Sequence, residues 1–468
     1  MKLSPDELQH ISHIEFRNVE KLKGENIIGV STDSRTVHEG ELFVALRGEN
    51  FDGHKFLAEA FAQCCGAAVV ESSANVDAVK TMPLLVVENT TRALGELARY
   101  YRLKFDIPVI AIGGSNGKTT TKEMVTRVLG MKYNVLSTQG NLNNHIGVPQ
   151  TLFRLEKKHQ IAVVEIGTNH PGEIQYLCDI LEPTHGLVTN VGKEHLEFFK
   201  NLAGVAKEEA ALFEKLRKRK GSIAFVNIDD KHVVAKSKKL KSKVTYGFTT
   251  KKASVHGTLL GTNESGCGKI GFAVKRAKQE TKVQLPIAGE HNAHNALSAA
   301  AVGLTFKVPP TKIKTALEKF TPASKRMEIL NIGSITIYDD TYNANPDSMI
   351  AALRTLASAQ VSGKRIAVLA DMKELGATSV DEHSRVAKEA SSLAIDYLLT
   401  FGEQAKHIHA TATVPYKFHY EQKNMLAEYL SELVSPGDAV LVKGSRGMKM
   451  EDIVIFLQER LKGTGATS

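Results

Sequence analysis

The sequence predicts an α/β protein of three domains: a small α/β N-terminal domain (1–105), a central parallel-sheet domain of P-loop type with a β appendage (106–320), and a C-terminal Rossmann-like domain (321–468). Three observations lead there. A length of 468 residues suits three domains at ~150 residues each. β-branched apolar runs alternate with helical patterns throughout, the rhythm of parallel βαβ units. One such run, ending at Ile112, breaks directly into Gly113-Gly114-Ser115-Asn116-Gly117-Lys118 and a new helical pattern.

Composition narrows the class. Hydrophobic residues make up 42% and charged residues 24%, ordinary for a globular chain. The start, MKLSPDELQHISHIEF, is charged and has no apolar core, so no signal peptide is expected. No apolar run approaches the ~20 residues that span a bilayer, so no membrane insertion is expected either. Cys64, Cys65, Cys178 and Cys267 lack metal or disulfide-framework spacing, and the chain reads as cytoplasmic. A net charge of +9 suits a polyanionic ligand and equally suits plain solubility. The densest basic run, Lys215 to Lys220, reads as a solvated helix end. With no tryptophan and no basic stretch interleaved with aromatics, no nucleic-acid module is expected.

In the first region IIGVSTDSR, ELFVALRG, AAVVES and PLLVVEN read as strands, and FLAEAFAQC and TRALGELARYYRLKF as helices. Ser31, Ser34 and Arg35 end the first strand and Arg47 follows the second. Hydroxyls and a guanidinium fork at strand ends can hold a diphosphate. Turns collect the same residue types, so both readings stay open. Phe105-Asp106-Ile107-Pro108 reads as a linker.

The central stretch carries the strongest signal. Glycines let backbone N–H groups point inward, a helix start adds partial positive charge, and the Lys118 ammonium can reach outer phosphates. Thr119 or Thr120 can offer a hydroxyl to Mg²⁺. The general P-loop pattern wants a glycine where Ile112 stands, so this loop is one residue shorter. It reads as a nucleoside triphosphate site. Further strands IAVVEIG and HGLVTNVG place Glu165, Thr189, Asn190 and His195 at strand ends, where ligands gather in parallel sheets. A carboxylate closing an apolar strand is costly unless it is paired or metal-bound, and Mg²⁺ beside phosphates would supply a partner. A salt bridge would serve too. His195 alone reads more readily as a structural hydrogen-bonder, and Lys207, in a helical pattern, as a surface lysine. KVTYGF, ASVHGTLL, KIGFAV and KVQLPI form the β appendage, followed by an alanine-rich helix announced by Asn292 and Asn295. In the last region SITIYDD, RIAVLAD, IDYLLTFG and DAVLVKG are the strands, with polar clusters at their ends.

GGSNGKTTTKE, GNLNNHIGVP, VVEIGTNHPGEI, TNVGKEHLEFF, GVAKEEA, GEHNAHNALSAA, KRME and DDTYNANPDSM occur in this order. Together they resemble the ATP-dependent Mur ligases of bacterial cell-wall synthesis, over essentially the whole chain. The shortened phosphate loop is the form that family uses. STDSR, ELFVALRGENFDGH, LADMKELG and KGSRGMKME favour the branch that joins D-alanyl-D-alanine to UDP-N-acetylmuramoyl-tripeptide. The resemblance implies that Gly113, Gly114, Ser115, Asn116, Gly117, Lys118, Thr119 and Thr120 hold the ATP phosphates. It assigns Thr119, Glu165 and His195 to Mg²⁺, and Lys207, as a carbamate, to a second Mg²⁺. Lys118, Glu165, His195 and Lys207 would then carry catalysis. Asn292 and Asn295 would face adenine, Arg326 and Asp340 the phosphate and nucleoside, and Ser31, Ser34, Arg35 and Arg47 the uridine diphosphate end. The expected mechanism runs through an acyl phosphate in a monomer. A sister ligase adding a diamino acid is the alternative, yet its Asp-Asn-Pro-Arg run is absent. A folylpolyglutamate synthase is a second sister reading. A P-loop kinase or nucleotide switch is a third, and the Asn-Lys-x-Asp guanine reader is absent as well.

Overall fold

The computed structural model describes residues 1–22, 27–274 and 280–464. Three sheets organise it. The first contains β1 (Glu15–Arg17), β2 (Val30–Ser31), β3 (Leu42–Val44), β4 (Ala67–Glu71) and β5 (Leu84–Val87), in the order β1-β5-β4-β3-β2. Only β1 runs antiparallel to its neighbour. The strand expected over IIGVSTDSR shrinks to Val30–Ser31. Its polar half forms a turn instead, in which Asp33 N donates to Ser31 Oγ (3.2 Å) and Arg35 N to Asp33 Oδ1 (3.0 Å).

The central sheet holds β6 (Val109–Gly113), β7 (Val135–Ser137), β8 (Ile161–Glu165), β9 (His185–Val188), β10 (Ile223–Asn227), β11 (Lys243–Gly247), β12 (Val255–Thr262), β13 (Cys267–Val274) and β14 (Thr281–Ala288). Its order is β14-β13-β12-β11-β10-β9-β6-β8-β7. The expected β appendage is thus no separate unit. β11 pairs parallel with β10 and β12 parallel with β11, so these strands prolong the main sheet before β13 and β14 turn antiparallel. Strand β6 is buried on both faces, which is why it reads as an unbroken apolar run. Val109 and Ala111 face one apolar cluster. Ile110 and Ile112 face another, with Met124, Val125 and Val128 of helix Lys118–Gly130 and Ala296 and Ala300 of helix Glu290–Thr305. Each fully buried isoleucine contributes about 1.5–3 kcal/mol. The chain passes from β8 across β6 to β9, so the strand order reverses around β6. A ligand crevice belongs at that switch point, beyond the carboxyl ends of the strands.

The third sheet comprises β15 (Glu328–Ile332), β16 (Ile335–Asp340), β17 (Arg365–Ala370), β18 (Tyr397–Phe401), β19 (Tyr416–Tyr420) and β20 (Ala439–Lys443), ordered β15-β16-β20-β17-β18-β19. All pairings but β15 with β16 are parallel. Its two edge strands escape the sequence reading. β15 has an intermediate or exposed residue at every position, and β19 likewise, so neither shows a core-facing apolar run. The segment read as a linker is anchored: buried Arg102, from helix Thr90–Leu103, donates to Phe105 O (2.8 Å) and to Leu181 O (3.2 Å).

His185, at the start of β9, packs against the rings of Phe225 and Phe306. Burial, with the charge of Arg219, pushes its pKa from 6.5 down to about 4. The folded state then binds fewer protons than the unfolded state between these values. Stability is therefore full above the unfolded value and is lost as pH falls toward the folded one. We expect the melting temperature to drop between pH 7 and pH 5 by less in His185→Phe than in the parent. Equal drops in calorimetric scans would remove His185 from the acid response.

Candidate active site

At the switch point the chain leaves β6 through two glycines. Gly114 has φ +114°, and a Cβ there would lie 2.2 Å from Thr189 Oγ1 and 2.7 Å from Thr189 N. Gly117, the residue before helix Lys118–Gly130, has φ +78°, and its Cβ would meet Asn295 Oδ1 at 2.5 Å. Only glycine fits either position. The loop is stitched to the end of β9: Ser115 N donates to Asn190 O (3.0 Å), Asn116 N to Asn190 Oδ1 (3.1 Å), and Thr189 Oγ1 to Asn116 O (2.7 Å). It is built before any ligand arrives.

Lys118 folds back over the loop, donating to Gly114 O (2.6 Å) and reaching Glu194 Oε2 (3.4 Å). Burial opposes its charge, but the carboxylates of Glu194, Glu209 and Glu165 outweigh burial and hold its pKa above the usual lysine range. Below it, Glu165 ends β8 at 1% exposure. Its Oε1 accepts from Thr119 Oγ1 (3.1 Å) and Asn143 Nδ2 (2.8 Å). Its Oε2 is buried and has no hydrogen bond, with Lys122 Nζ standing 4.0 Å away. A half-spent buried carboxylate beside a loop threonine suits a divalent cation.

The third sheet closes over this floor and leaves a cleft of about 1160 Å³ between them. Asn345 Nδ2 donates to Asn116 Oδ1 (2.8 Å), tying the closing layer to the phosphate loop itself. Asp347 Oδ2 accepts from Lys193 N (2.8 Å) while its Oδ1 accepts from Arg385 (2.6 Å), and the Lys193 ammonium pairs with Glu382. His195 has φ +46°, a left-handed value that costs a non-glycine residue about 1–3 kcal/mol. Its Nδ1 lies 2.7 Å from Glu374 Oε2, and that contact holds the Glu374 carboxyl below its usual range. Arg326 stacks on Tyr342 at 3.7 Å, and Asp340 pairs with buried Lys443.

Most residues expected from the sequence meet here. Ser115 to Thr120, Glu165, His195, Asn292, Asn295, Arg326 and Asp340 all line the cleft. Gly113 and Gly114 shape it from behind. Asn292 and Asn295 spend part of their amides internally: Asn292 Nδ2 donates to Ala288 O (2.7 Å), and Asn295 Oδ1 accepts from Thr121 Oγ1 (3.1 Å). Ser31, Ser34, Arg35 and Arg47 do not line it. Ser31 ends β2 and the others lie in the turns after β2 and β3, where Arg35 pairs with Asp33 and Arg47 with Asp52 and Glu71. Lys207 is the departure from expectation. It is exposed on helix Leu202–Glu209 and does not line the cleft. At about 100° per residue, Lys207 and Glu209 lie on opposite sides of that helix, and Glu209 is the one turned inward, at 1% exposure. Sequence reading missed Glu209, Glu194, Lys122 and Asn143. Helical spacing held the clue for Glu209, which shares a stripe with Leu202 and Val205.

Three family models cover most of the chain: the Mur ligase family catalytic domain over residues 26–102, the Mur ligase middle domain over 112–303, and the Mur ligase glutamate ligase domain over 325–446. The chain belongs to the Mur ligase family. A Haemophilus influenzae protein named UDP-N-acetylmuramoyl-tripeptide–D-alanyl-D-alanine ligase is 34% identical over 476 residues, 99% of this chain and 100% of its own. Among solved structures, a MurF from Acinetobacter baumannii superposes with a TM-score of 0.88 at 31% identity, covering 98% of this chain and 99% of that one. A MurF ligase from Thermotoga maritima solved in complex with ADP gives a TM-score of 0.82 at 26% identity, covering 93% and 98%. The family is one of ATP-dependent ligases, in accord with the phosphate loop. A diaminopimelate-adding ligase of the same family also superposes, with a TM-score of 0.56 at 17% identity, which shows the shared fold alone.

Gly114→Ala tests the rigidity of this Mur ligase loop. We expect ATP-analogue affinity to fall at least tenfold, about 1.4 kcal/mol, in a calorimetric titration. Unchanged affinity would show that the loop tolerates a side chain facing Thr189.

Proposed function

We propose that the chain joins the terminal carboxylate of UDP-N-acetylmuramoyl-tripeptide to the amine of D-alanyl-D-alanine at the expense of ATP, as a cytoplasmic monomer. The Glu165 carboxylate, buried under Thr119 with one oxygen unspent, carries this reading. The printed names of the full-length relatives support the substrate pair. No helix among the described residues is long and apolar enough to cross a membrane. The divisions 1–105, 106–320 and 321–468 are proposed as UDP-substrate, ATP and closing regions.

The residues divide the work. Ser31, Ser34, Arg35 and Arg47 hold the uridine diphosphate end. Gly113 to Thr120 cradle the ATP phosphates, with Asn292 and Asn295 at the adenine and Arg326 and Asp340 closing from the third sheet. Lys118 leaves Gly114 O for the outer phosphates. A substrate carboxylate oxygen then attacks the γ-phosphorus, the bond to the β-phosphate oxygen breaks, and ADP leaves an acyl phosphate. The dipeptide amine attacks the acyl carbon, inorganic phosphate departs and the amine gives up a proton. Two anions must meet in the first step, so Lys118 stabilises the developing charge, a contribution of several kcal/mol in preorganised sites. Thr119 and Glu165, with His195 nearby, fit Mg²⁺, which would neutralise phosphate charge when bound. The contacts of Asn345 and Asp347 hold the third sheet over the loop, where tighter closure on substrate would exclude water that otherwise hydrolyses the acyl phosphate.

Lys118→Ala should abolish phosphate release while its melting profile and circular dichroism stay near those of the parent. Release in the parent should require both UDP-N-acetylmuramoyl-tripeptide and D-alanyl-D-alanine. Near-normal turnover in the variant, or release unaffected by omitting the dipeptide, would refute the assignment.

A further inference from the structure

Glu209 is the least satisfied charged group in the described core. It ends helix Leu202–Glu209 at 1% exposure, and both its oxygens lack a hydrogen bond. Its neighbour on the helix differs sharply: Glu208 accepts from Gly172 N (2.8 Å) and Ile174 N (2.8 Å), capping helix Glu173–Leu181. Glu209 caps no helix, and the backbone group that favours its charge is the Gly114 amide of the phosphate loop. It points at the phosphate loop, where its Oε2 would lie 2.8 Å from a Cβ on Gly113. Glu194 Oε1 is also buried without a partner, while Glu194 Oε2 leans on Lys118.

Charge makes the arrangement unstable as it stands. Glu165, Glu194 and Glu209 face Lys118 and Lys122, so buried carboxylates outnumber ammonium groups. Once Lys118 turns to phosphate, Glu194 loses its pairing with that ammonium, and Glu194 and Glu209 both face an incoming polyanion. Such an excess is tolerated only with protons or metal. Burial, next to Glu194, pushes the Glu209 carboxyl well above the usual range.

Resting on the ligase reading above, we propose that Glu209, with Glu194, holds a second divalent cation against the bound nucleotide, by a genetically encoded carboxylate and without a carbamylated lysine. No three carboxylate or imidazole side chains are preassembled around one point among the described residues. Phosphate oxygens and water complete the shell, the ordinary manner of Mg²⁺. Lys207 takes no part, because the helix turns it to solvent.

The test titrates Mn²⁺ into the full chain with a non-hydrolysable ATP analogue, followed by electron paramagnetic resonance. The parent should take up two ions, Glu209→Gln one, and Glu209→Asp two with the second bound more weakly. Lys207→Ala should keep both, and the intact mass of the parent, recorded under bicarbonate, should show no added carbon dioxide. Thermal melts confirm that each variant is folded, and Glu209→Asp stands in should the glutamine variant fail to fold. Two ions in Glu209→Gln, one in the parent, or loss of an ion only in Lys207→Ala would overturn the proposal. Analogue affinity, read in the same titration, tests the nucleotide site separately.

Discussion

A buried carboxylate at the tip of a parallel strand is the constraint on which this molecule turns. Glu165 closes a strand whose other residues are all apolar and buried, and only one of its oxygens is satisfied by protein. Thr119 and Lys122, one turn apart on helix Lys118–Gly130, and Asn143 from the loop after β7 are arranged around it. Leaving such a group half-paired costs stability, and folded chains keep such costs where function needs them. The apolar packing of β6 on both faces supplies the rigidity that holds the loop above it.

Closure depends on the same floor. The third sheet does not merely cover the cleft; its Asn345 is hydrogen-bonded to Asn116 inside the phosphate loop, and its Asp347 accepts the Lys193 amide beside His195. Charged pairs at such a seam, including Lys193 with Glu382, are sensitive to one another because Arg385 bridges Glu382 and Asp347. A nucleotide entering the loop therefore meets groups from both sheets at once.

Much of the fold was legible because buried parallel strands are long, apolar and unbroken. β6, β8, β9, β16, β17 and β20 all announce themselves in this way. Edge strands β15 and β19 did not, since half-solvated backbone pairs as well with mixed side chains as with apolar ones. The β appendage was seen as strands but not as a continuation of the main sheet, because register with β10 and β11 is a property of pairing partners far apart in sequence.

The sequence by itself determined the phosphate loop, the carboxylate beneath it and the family, since each is a local run in which glycine, lysine and threonine are the chemistry. Only the tertiary structure decided which side chain of helix Leu202–Glu209 faces the loop. Lys207 and Glu209 are two residues apart, and a helix separates them by more than half a turn, so residue type pointed to one while packing buried the other. The same holds for the seam between Asn116 and Asn345, 229 positions apart, which exists only once two sheets are docked.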